Sequence, residues 1–356
     1  MENRKIKVGI THGDINGIGY EIILKTLEDP RIAEICTPIV YGSAKIAASY
    51  RKLMELPEVK FTTITSPAEA TADHNYIINV VDENVTPEPG RCTPAGGSAA
   101  LAALERAATD LREGAIDVLV TCPISKDAIH GDEFSFPGHT EFLQDRLNDG
   151  SDPKAMMIMA GEGLRVALVT IHESLADVTP KVTKGAVLDS IMRFNKSLIA
   201  DFGIHSPRIA VLSLNPHAGD NGVIGSEDNE IVAPAVAEAY KKRVFAFGPY
   251  PADGFFGSGA YKKFDGVLAM YHDQGLIPFK LLMAERGVNY TAGLPCVRTS
   301  PDHGTAFDIA GSGQADPQSL REAIYMALDI YRNRQREAEA TANPLRKQNF
   351  DRGRNE

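Results

Sequence analysis

Ile6-Lys-Val-Gly-Ile-Thr-His-Gly-Asp-Ile-Asn-Gly-Ile-Gly19-Tyr-Glu-Ile-Ile-Leu-Lys-Thr-Leu27 runs from an apolar strand-like segment through a glycine-punctuated turn into a helix-period segment. The alternation recurs along the chain. Strand-like runs follow at Pro38 to Tyr41, Tyr76 to Val81, Val118 to Val120, Met156 to Met159, Val166 to Ile171, Ile209 to Leu214 and Val267 to Tyr271. Between them, helical patterning is expected at Ala44 to Glu55, Ser98 to Glu113, Glu141 to Leu147, Lys184 to Asp201 and Asn229 to Lys242. Strands alternating with helices predict an α/β fold. A last helix is expected from Asp316-Pro-Gln-Ser, with Leu320, Ile324, Ala327, Leu328 and Ile330 largely on one face. Beyond about Arg334 the chain turns polar, and a frayed tail is expected.

The 356 residues exceed one average core, which favours two lobes or one large α/β unit. No Pro/Ser-rich linker divides them, so two lobes would have to exchange strands. With 43% hydrophobic and 24% charged residues the chain is of the globular class. A net charge of −10 argues against a nucleic-acid partner. The N-terminus enters a strand at once, without a signal-peptide pattern, and no apolar window is long enough for a spanning helix; a cytoplasmic protein away from the membrane is expected. Cys36, Cys92, Cys122 and Cys296 lie far apart with no C-x-x-C pair, which fits reduced thiols and excludes a zinc ribbon.

Three histidines follow apolar runs in the same way: Val166-Ala-Leu-Val-Thr-Ile-His172, Ile209-Ala-Val-Leu-Ser-Leu-Asn-Pro-His217 and Val267-Leu-Ala-Met-Tyr-His272. Ligands of open α/β sheets collect at the carboxyl ends of strands, so imidazoles delivered there can converge. Three nitrogens suit a divalent metal with a coordination position left for water or substrate. Asp273 and Asn215 are candidates to orient these rings, or simply to cap turns. His139 and Thr140, in Pro-Gly-His-Thr-Glu-Phe142, stand where a helix N-terminus could receive an anion. Lys280, Asn289 and Arg298 add donors for phosphate or carboxylate.

The first turn sits where a phosphate loop would lie, but its glycines at 13, 17 and 19 miss the dinucleotide spacing G-x-G-x-x-G; a tight strand-to-helix turn explains them equally well. His303-Gly-Thr-Ala-Phe-Asp308-Ile-Ala-Gly311 resembles the cofactor loop of isocitrate and isopropylmalate dehydrogenases, which holds the adenosine side of NAD or NADP. The likeness implies cofactor contacts at His303, Gly304, Thr305, Ala306 and Asp308.

Taken together, T-x-G-D-x-x-G-I-G-x-E, G-H-T-E-F, L-N-P-H-A-G, Y-H-D-Q-G, G-V-N-x-T-x-G-L-P, R-T-S and D-H-G-T-A resemble the 4-hydroxythreonine-4-phosphate dehydrogenase family, from residue 6 to about 330. The resemblance implies an isocitrate-dehydrogenase-like fold of two α/β lobes, with strands crossing between them and a cleft carrying the chemistry. Residues 1–135 and 290–356 would form the cofactor lobe and 136–289 the metal and dimer lobe. It implies a metal site of His172, His217 and His272, completed across a homodimer interface, and substrate contacts from His139, Thr140, Lys280, Asn289 and Arg298. Asp253 matches an acidic position near that site. The implied activity is oxidation of 4-phosphohydroxy-L-threonine at C3 with NAD or NADP and one divalent ion (zinc, magnesium or cobalt), followed by decarboxylation. Lys280 or Asp253 would take the hydroxyl proton.

Departures from the family pattern fall in two places. The first motif usually reads T-P-G-D-P-A-G-I-G-P-E, and here carries His12, Ile15, Asn16 and Tyr20. The usual T-H-x-P-L becomes Ile171-His172-Glu173-Ser174-Leu175, which is expected to set a carboxylate beside the metal. A dehydrogenase of 4-phosphothreonate or 4-phosphoerythronate is the nearest alternative. A metal-dependent hydrolase or aldolase, or a binding protein with structural zinc, would use the same histidines without NAD.

Overall fold

The computed structural model describes residues 4–71, 73–129, 136, 138–147 and 155–343. The expected α/β architecture is present as one continuous 12-stranded sheet with helices between the strands. In chain order the strands are β1 (Lys7–Thr11), β2 (Thr37–Gly42), β3 (Phe61–Ile64), β4 (Asn75–Asn79), β5 (Val118–Thr121), β6 (Met156–Gly161), β7 (Leu164–Leu168), β8 (Arg208–Leu212), β9 (Phe245–Tyr250), β10 (Gly266–Ala269), β11 (Val288–Ala292) and β12 (Val297–Pro301). Across the sheet the order is β3-β4-β2-β1-β5-β12-β11-β6-β7-β10-β8-β9.

The first six strands of that order are mutually parallel, as are the last four. Between these blocks β11 runs antiparallel to both β12 and β6, and β6 antiparallel to β7. Parallel strands covered on both faces are buried at every position, as β2, β5 and β10 are, and are mostly apolar, with Thr37 and Thr121 the polar exceptions at strand ends. β3, β9, β11 and β12 fall outside the strand-like runs read from the sequence. β3 and β9 are partly exposed edges, while β11 and β12 carry Asn289 and Arg298 among their apolar residues.

The helix Gly19–Leu27 forms as expected and is buried on every residue but Lys25. Pro94–Arg112 starts earlier than its apolar period, because Thr93 accepts from the Gly96 N–H and Pro94 fits the first turn. Gly97 lets that helix meet the chain at Ala128, whose carbonyl oxygen would lie 1.9 Å from a Cβ. The final helix, Gln318–Ala342, buries Leu320, Ala323, Ile324, Ala327, Leu328 and Ile330. It corrects the expected fraying beyond Arg334: Gln335-Arg-Glu-Ala-Glu-Ala-Thr-Ala342 remains helical though largely exposed, because Ala, Glu and Arg are strong intrinsic helix formers. The tail at 344–356 lies outside the described residues.

Candidate active site

Where the central strands reverse direction, β5, β11 and β12 present polar side chains to one cleft of about 380 Å³. Thr121, Asn289, Arg298 and Ser300 come from the strands, His139, Thr140 and Glu141 from the start of the helix His139–Arg146, and His172, Asp302, His303 and Gly304 from following segments. The structure thus gathers His139, Thr140, Asn289, Arg298, His172, His303 and Gly304. That helix begins at His139 after Gly138, which supplies no side-chain cap, so Thr140 lies inside the first turn and the helix N-terminus faces the cleft uncapped.

Arg298 dominates the electrostatics. Its side chain has neutral partners: Nε and Nη2 donate to Thr121 Oγ1 at 3.1 and 2.6 Å, and Nη1 donates to Thr291 Oγ1 at 3.0 Å. Burial lowers its pKa to about 10, so the guanidinium stays charged at neutral pH, with Glu141 a small opposing influence. An arginine has five N–H donors, so others remain for a ligand. Burial, then the Arg298 charge, push His139 well below the ordinary imidazole value, leaving the ring neutral. His139 Nε2, Asn289 Oδ1 and His303 Nε2 are buried and have no hydrogen-bond partner among the described residues. A buried cation hydrogen-bonded only to hydroxyls among the described residues, beside unpartnered polar atoms, suits an anionic, hydrogen-bonding ligand.

A second cavity of about 350 Å³ shares Asp302 and His303 with the cleft and continues along Ile18, Ala306, Ile309, Gln314, Ala315 and Asp316. Lys280 stands at this junction, 3.3 Å from Asp302 Oδ1 and 3.2 Å from the Asp302 carbonyl. Burial raises the Asp302 carboxyl, and Lys280 opposes that. Apolar walls with the orphaned His303 Nε2 at one end suit an adenosine-sized group. His303 and Ala306 line this cavity. Thr305 anchors the loop by accepting from the Ile18 N–H at 3.0 Å, and Asp308 is exposed.

β7, β10 and β8 are adjacent and parallel, so the three strand-end histidines leave the sheet on the same side. The His172 and His272 rings lie 5.7 Å apart. Two imidazoles bound to one ion at about 2 Å place their centroids roughly 5 Å apart, so the pair suits a divalent metal. Asp273 holds His272 Nδ1 at 2.7 Å and leaves Nε2 for a ligand. Asn215 instead binds Glu227, and His217 is exposed in a left-handed loop, with φ of 55°. Among the described residues no three His, Cys, Asp or Glu side chains gather closely enough to hold an ion. Partial burial, then Lys126 and His272, lower the pKa of His172. Glu173 forms an ion pair with Lys181, and Asp253 is exposed on the helix Ala252–Gly257, lining neither cavity.

The departures in the first motif are all buried. His12 stacks on Tyr20 at 5.2 Å and Tyr20 on Tyr50 at 5.7 Å, while Asn16 donates to Thr93 and accepts from the Glu88 N–H. The N–H groups of Asp14, Gly17 and Ile18 are spent on backbone carbonyls, so this loop is a tight structural turn rather than a phosphate cradle. Sequence reasoning missed Thr121, Thr291, Lys126 and Asp302. Asp302 opens the D-H-G-T-A motif and Thr291 stands in G-V-N-x-T-x-G-L-P, but the motifs alone give neither a role; Thr121 is visible only as a polar residue in an otherwise apolar strand.

Fold and cleft together place a buried arginine, a pair of imidazoles and a neighbouring apolar pocket at the centre of an α/β sheet, an arrangement suited to an enzyme of small anionic substrates. The chain belongs to the pyridoxal phosphate biosynthetic protein PdxA family, whose model matches residues 34–327. It is 54% identical over 351 residues to 4-hydroxythreonine-4-phosphate dehydrogenase of Bacteroides thetaiotaomicron, covering 99% of this chain and 96% of that protein. D-threonate 4-phosphate dehydrogenase of Cupriavidus necator is 41% identical over 327 residues, 91% of this chain and 96% of that one. The crystal structure of 4-hydroxythreonine-4-phosphate dehydrogenase from Klebsiella pneumoniae superposes with a TM-score of 0.80 at 36% identity, covering 93% of this chain and 99% of that chain.

Proposed function

We propose that the protein is a metal-dependent, NAD-linked 4-hydroxythreonine-4-phosphate dehydrogenase of pyridoxal phosphate biosynthesis. It oxidises 4-phosphohydroxy-L-threonine at C3, and the resulting 3-oxo acid loses carbon dioxide to give 3-amino-2-oxopropyl phosphate. The observation that carries this reading is the buried Arg298, whose hydrogen bonds among the described residues go to hydroxyls only, beside the unpartnered atoms of His139, Asn289 and His303. The 54% identity to a protein of that name supports it over the full chain.

Arg298, His139 and Thr140 receive the anionic groups of the substrate, the last two from an uncapped helix N-terminus. Asn289 Oδ1 accepts a hydrogen bond from the substrate's ammonium or hydroxyl. NAD, when bound, would supply the hydride acceptor for the C3–H bond, and the hydroxyl proton leaves to a base. Lys280 is better supported than Asp253 for this role, because it stands between the two cavities. His303, Gly304, Thr305, Ala306 and Asp308 belong to the dinucleotide side, with NAD as cofactor and NADP as the alternative. His172, His217 and His272 would hold one zinc, magnesium or cobalt ion, with the His172–His272 pair drawn from one chain and the site completed at a homodimer interface. When bound, that ion supplies Lewis acidity to the C3 oxygen and to the charge that develops during decarboxylation.

The lobe division at 1–135 with 290–356 and at 136–289 is supported by strand order. β1 to β5 and β12 occupy one half of the sheet and β6 to β10 the other, with β11 at the seam. No helix among the described residues is long and apolar enough to cross a membrane; a cytoplasmic location fits a biosynthetic role.

The Cupriavidus necator relative favours a second reading, oxidation of 4-phospho-D-threonate, which replaces the amine with a hydroxyl. With 4-phosphohydroxy-L-threonine, NAD and a divalent ion, carbon dioxide should appear in step with NADH. NADH without carbon dioxide, or neither product, contradicts the proposed reaction.

A further inference from the structure

We infer that Glu21 and Lys25 form a clamp that positions the wall of the dinucleotide pocket, an inference that rests on the cofactor reading above. Neither residue lines the 350 Å³ cavity. Both sit on the helix Gly19–Leu27 immediately behind it, and they reach its wall through backbone groups.

Glu21 is fully buried and the Lys25 side chain is 18% exposed. Lys25 Nζ donates to Glu21 Oε1 at 2.9 Å, to the Gly313 carbonyl at 2.7 Å and to the Ala315 carbonyl at 2.7 Å. That satisfies all three donors of an ammonium group. Glu21 Oε1 also accepts from the Ala315 N–H at 2.7 Å, so Ala315 is held at both its N–H and its C=O by one ion pair. From the other side Arg321, on the final helix, donates to the Lys25 carbonyl at 2.8 Å.

What the clamp holds is a segment with little regular structure of its own. Gly311 and Gly313 both take left-handed backbone angles, with φ of 76° and 75°, and the next residues, Gln314, Ala315 and Asp316, form one side of the cavity. The opposite end of the same segment is fixed by the Ile18 N–H to Thr305 contact, immediately before this helix begins. One helix and its leading turn therefore set the distance between the two sides of the pocket. Glu21 and Lys25 are positioning residues: they act on the cofactor through the 313–315 backbone.

The test is titration of the full-length, metal-loaded protein with NADH, followed by fluorescence, alongside steady-state KM values for both substrates. Lys25→Met should weaken NADH binding by about tenfold, the change expected from losing a charge-assisted hydrogen bond. The KM for the phosphorylated substrate should stay within about twofold, since its cleft is built from other elements. Lys25→Arg should recover part of the loss. The double variant Glu21→Gln/Lys25→Met removes the uncompensated buried carboxylate and should still bind NADH weakly. If both variants bind NADH as tightly as the wild type, the clamp is structural alone and the inference is overturned, as it is if both substrates' KM values rise together. If the wild type itself binds no NADH, the clamp falls together with the cofactor reading; tight wild-type binding with unchanged variants removes the clamp only.

Discussion

Arg298 lies against Thr121 with two of its guanidinium nitrogens on a single hydroxyl oxygen, at 3.1 and 2.6 Å, and the residue is 3% exposed. A hydroxyl can orient a cation but cannot neutralise it. The charge is therefore kept available, at a desolvation cost that an incoming phosphate or carboxylate offsets.

Arg298→Lys should raise the KM for the phosphorylated substrate by about 100-fold, because an ammonium cannot span Thr121 and Thr291 while presenting a fork to the anion. Thr121→Val should give a smaller loss, about 1–2 kcal/mol of substrate binding. Both are read from steady-state kinetics, with NADH binding unchanged as the control.

His12 provides a test of acid stability. Burial lowers its pKa to about 4 from the ordinary 6.5; the main chain of Gly13 and Ala99 offsets part of this without hydrogen-bond geometry at the ring nitrogens. The unfolded chain takes up the proton first as pH falls. The stabilising contribution is thus complete above 6.5 and is lost as pH falls towards 4, by about 3 kcal/mol at most. His12→Phe keeps the stack on Tyr20 and should flatten the acid limb by about 2 kcal/mol in urea unfolding between about pH 6.5 and 4.5. The His139 contribution, of the same sign, remains.

Lys280→Met should lower turnover by about 100-fold or more and abolish the rise of rate with pH that a general base imposes, while NADH still binds. Lys280 is exposed, so the fold should survive. Wild-type turnover with an unaltered profile would remove Lys280 as the base.

Chelation should abolish turnover, and zinc, magnesium or cobalt should restore it. His172→Ala and His272→Ala should each weaken metal binding, measured by calorimetry, because their rings face one another at 5.7 Å. Asp273→Ala should do so less strongly, by about tenfold, through loss of ring orientation.

Much of this was legible in the sequence because it depended on local pattern. The strand runs and the helix Gly19–Leu27 follow from apolar periodicity, and the strand-end histidines from its interruption. β11 and β12 were not legible for the reason that makes them useful: Asn289 and Arg298 break the apolar pattern where the sheet turns a polar face to the cleft. Thr121 became meaningful only when β5 paired with β12 and brought it to a guanidinium 177 residues away. The buried His12–Tyr20–Tyr50 stack was invisible for a similar reason. A motif read as a loop reports its spacing, not whether the rest of the chain closes over it.

The most direct test compares kcat/KM for 4-phosphohydroxy-L-threonine with that for 4-phospho-D-threonate, on the same metal-loaded enzyme and with NAD. The amino substrate should be preferred by about 100-fold or more, because the orphaned Asn289 Oδ1 accepts from an ammonium group more strongly than from a hydroxyl. Equal rates, or a preference for the threonate, would contradict the account.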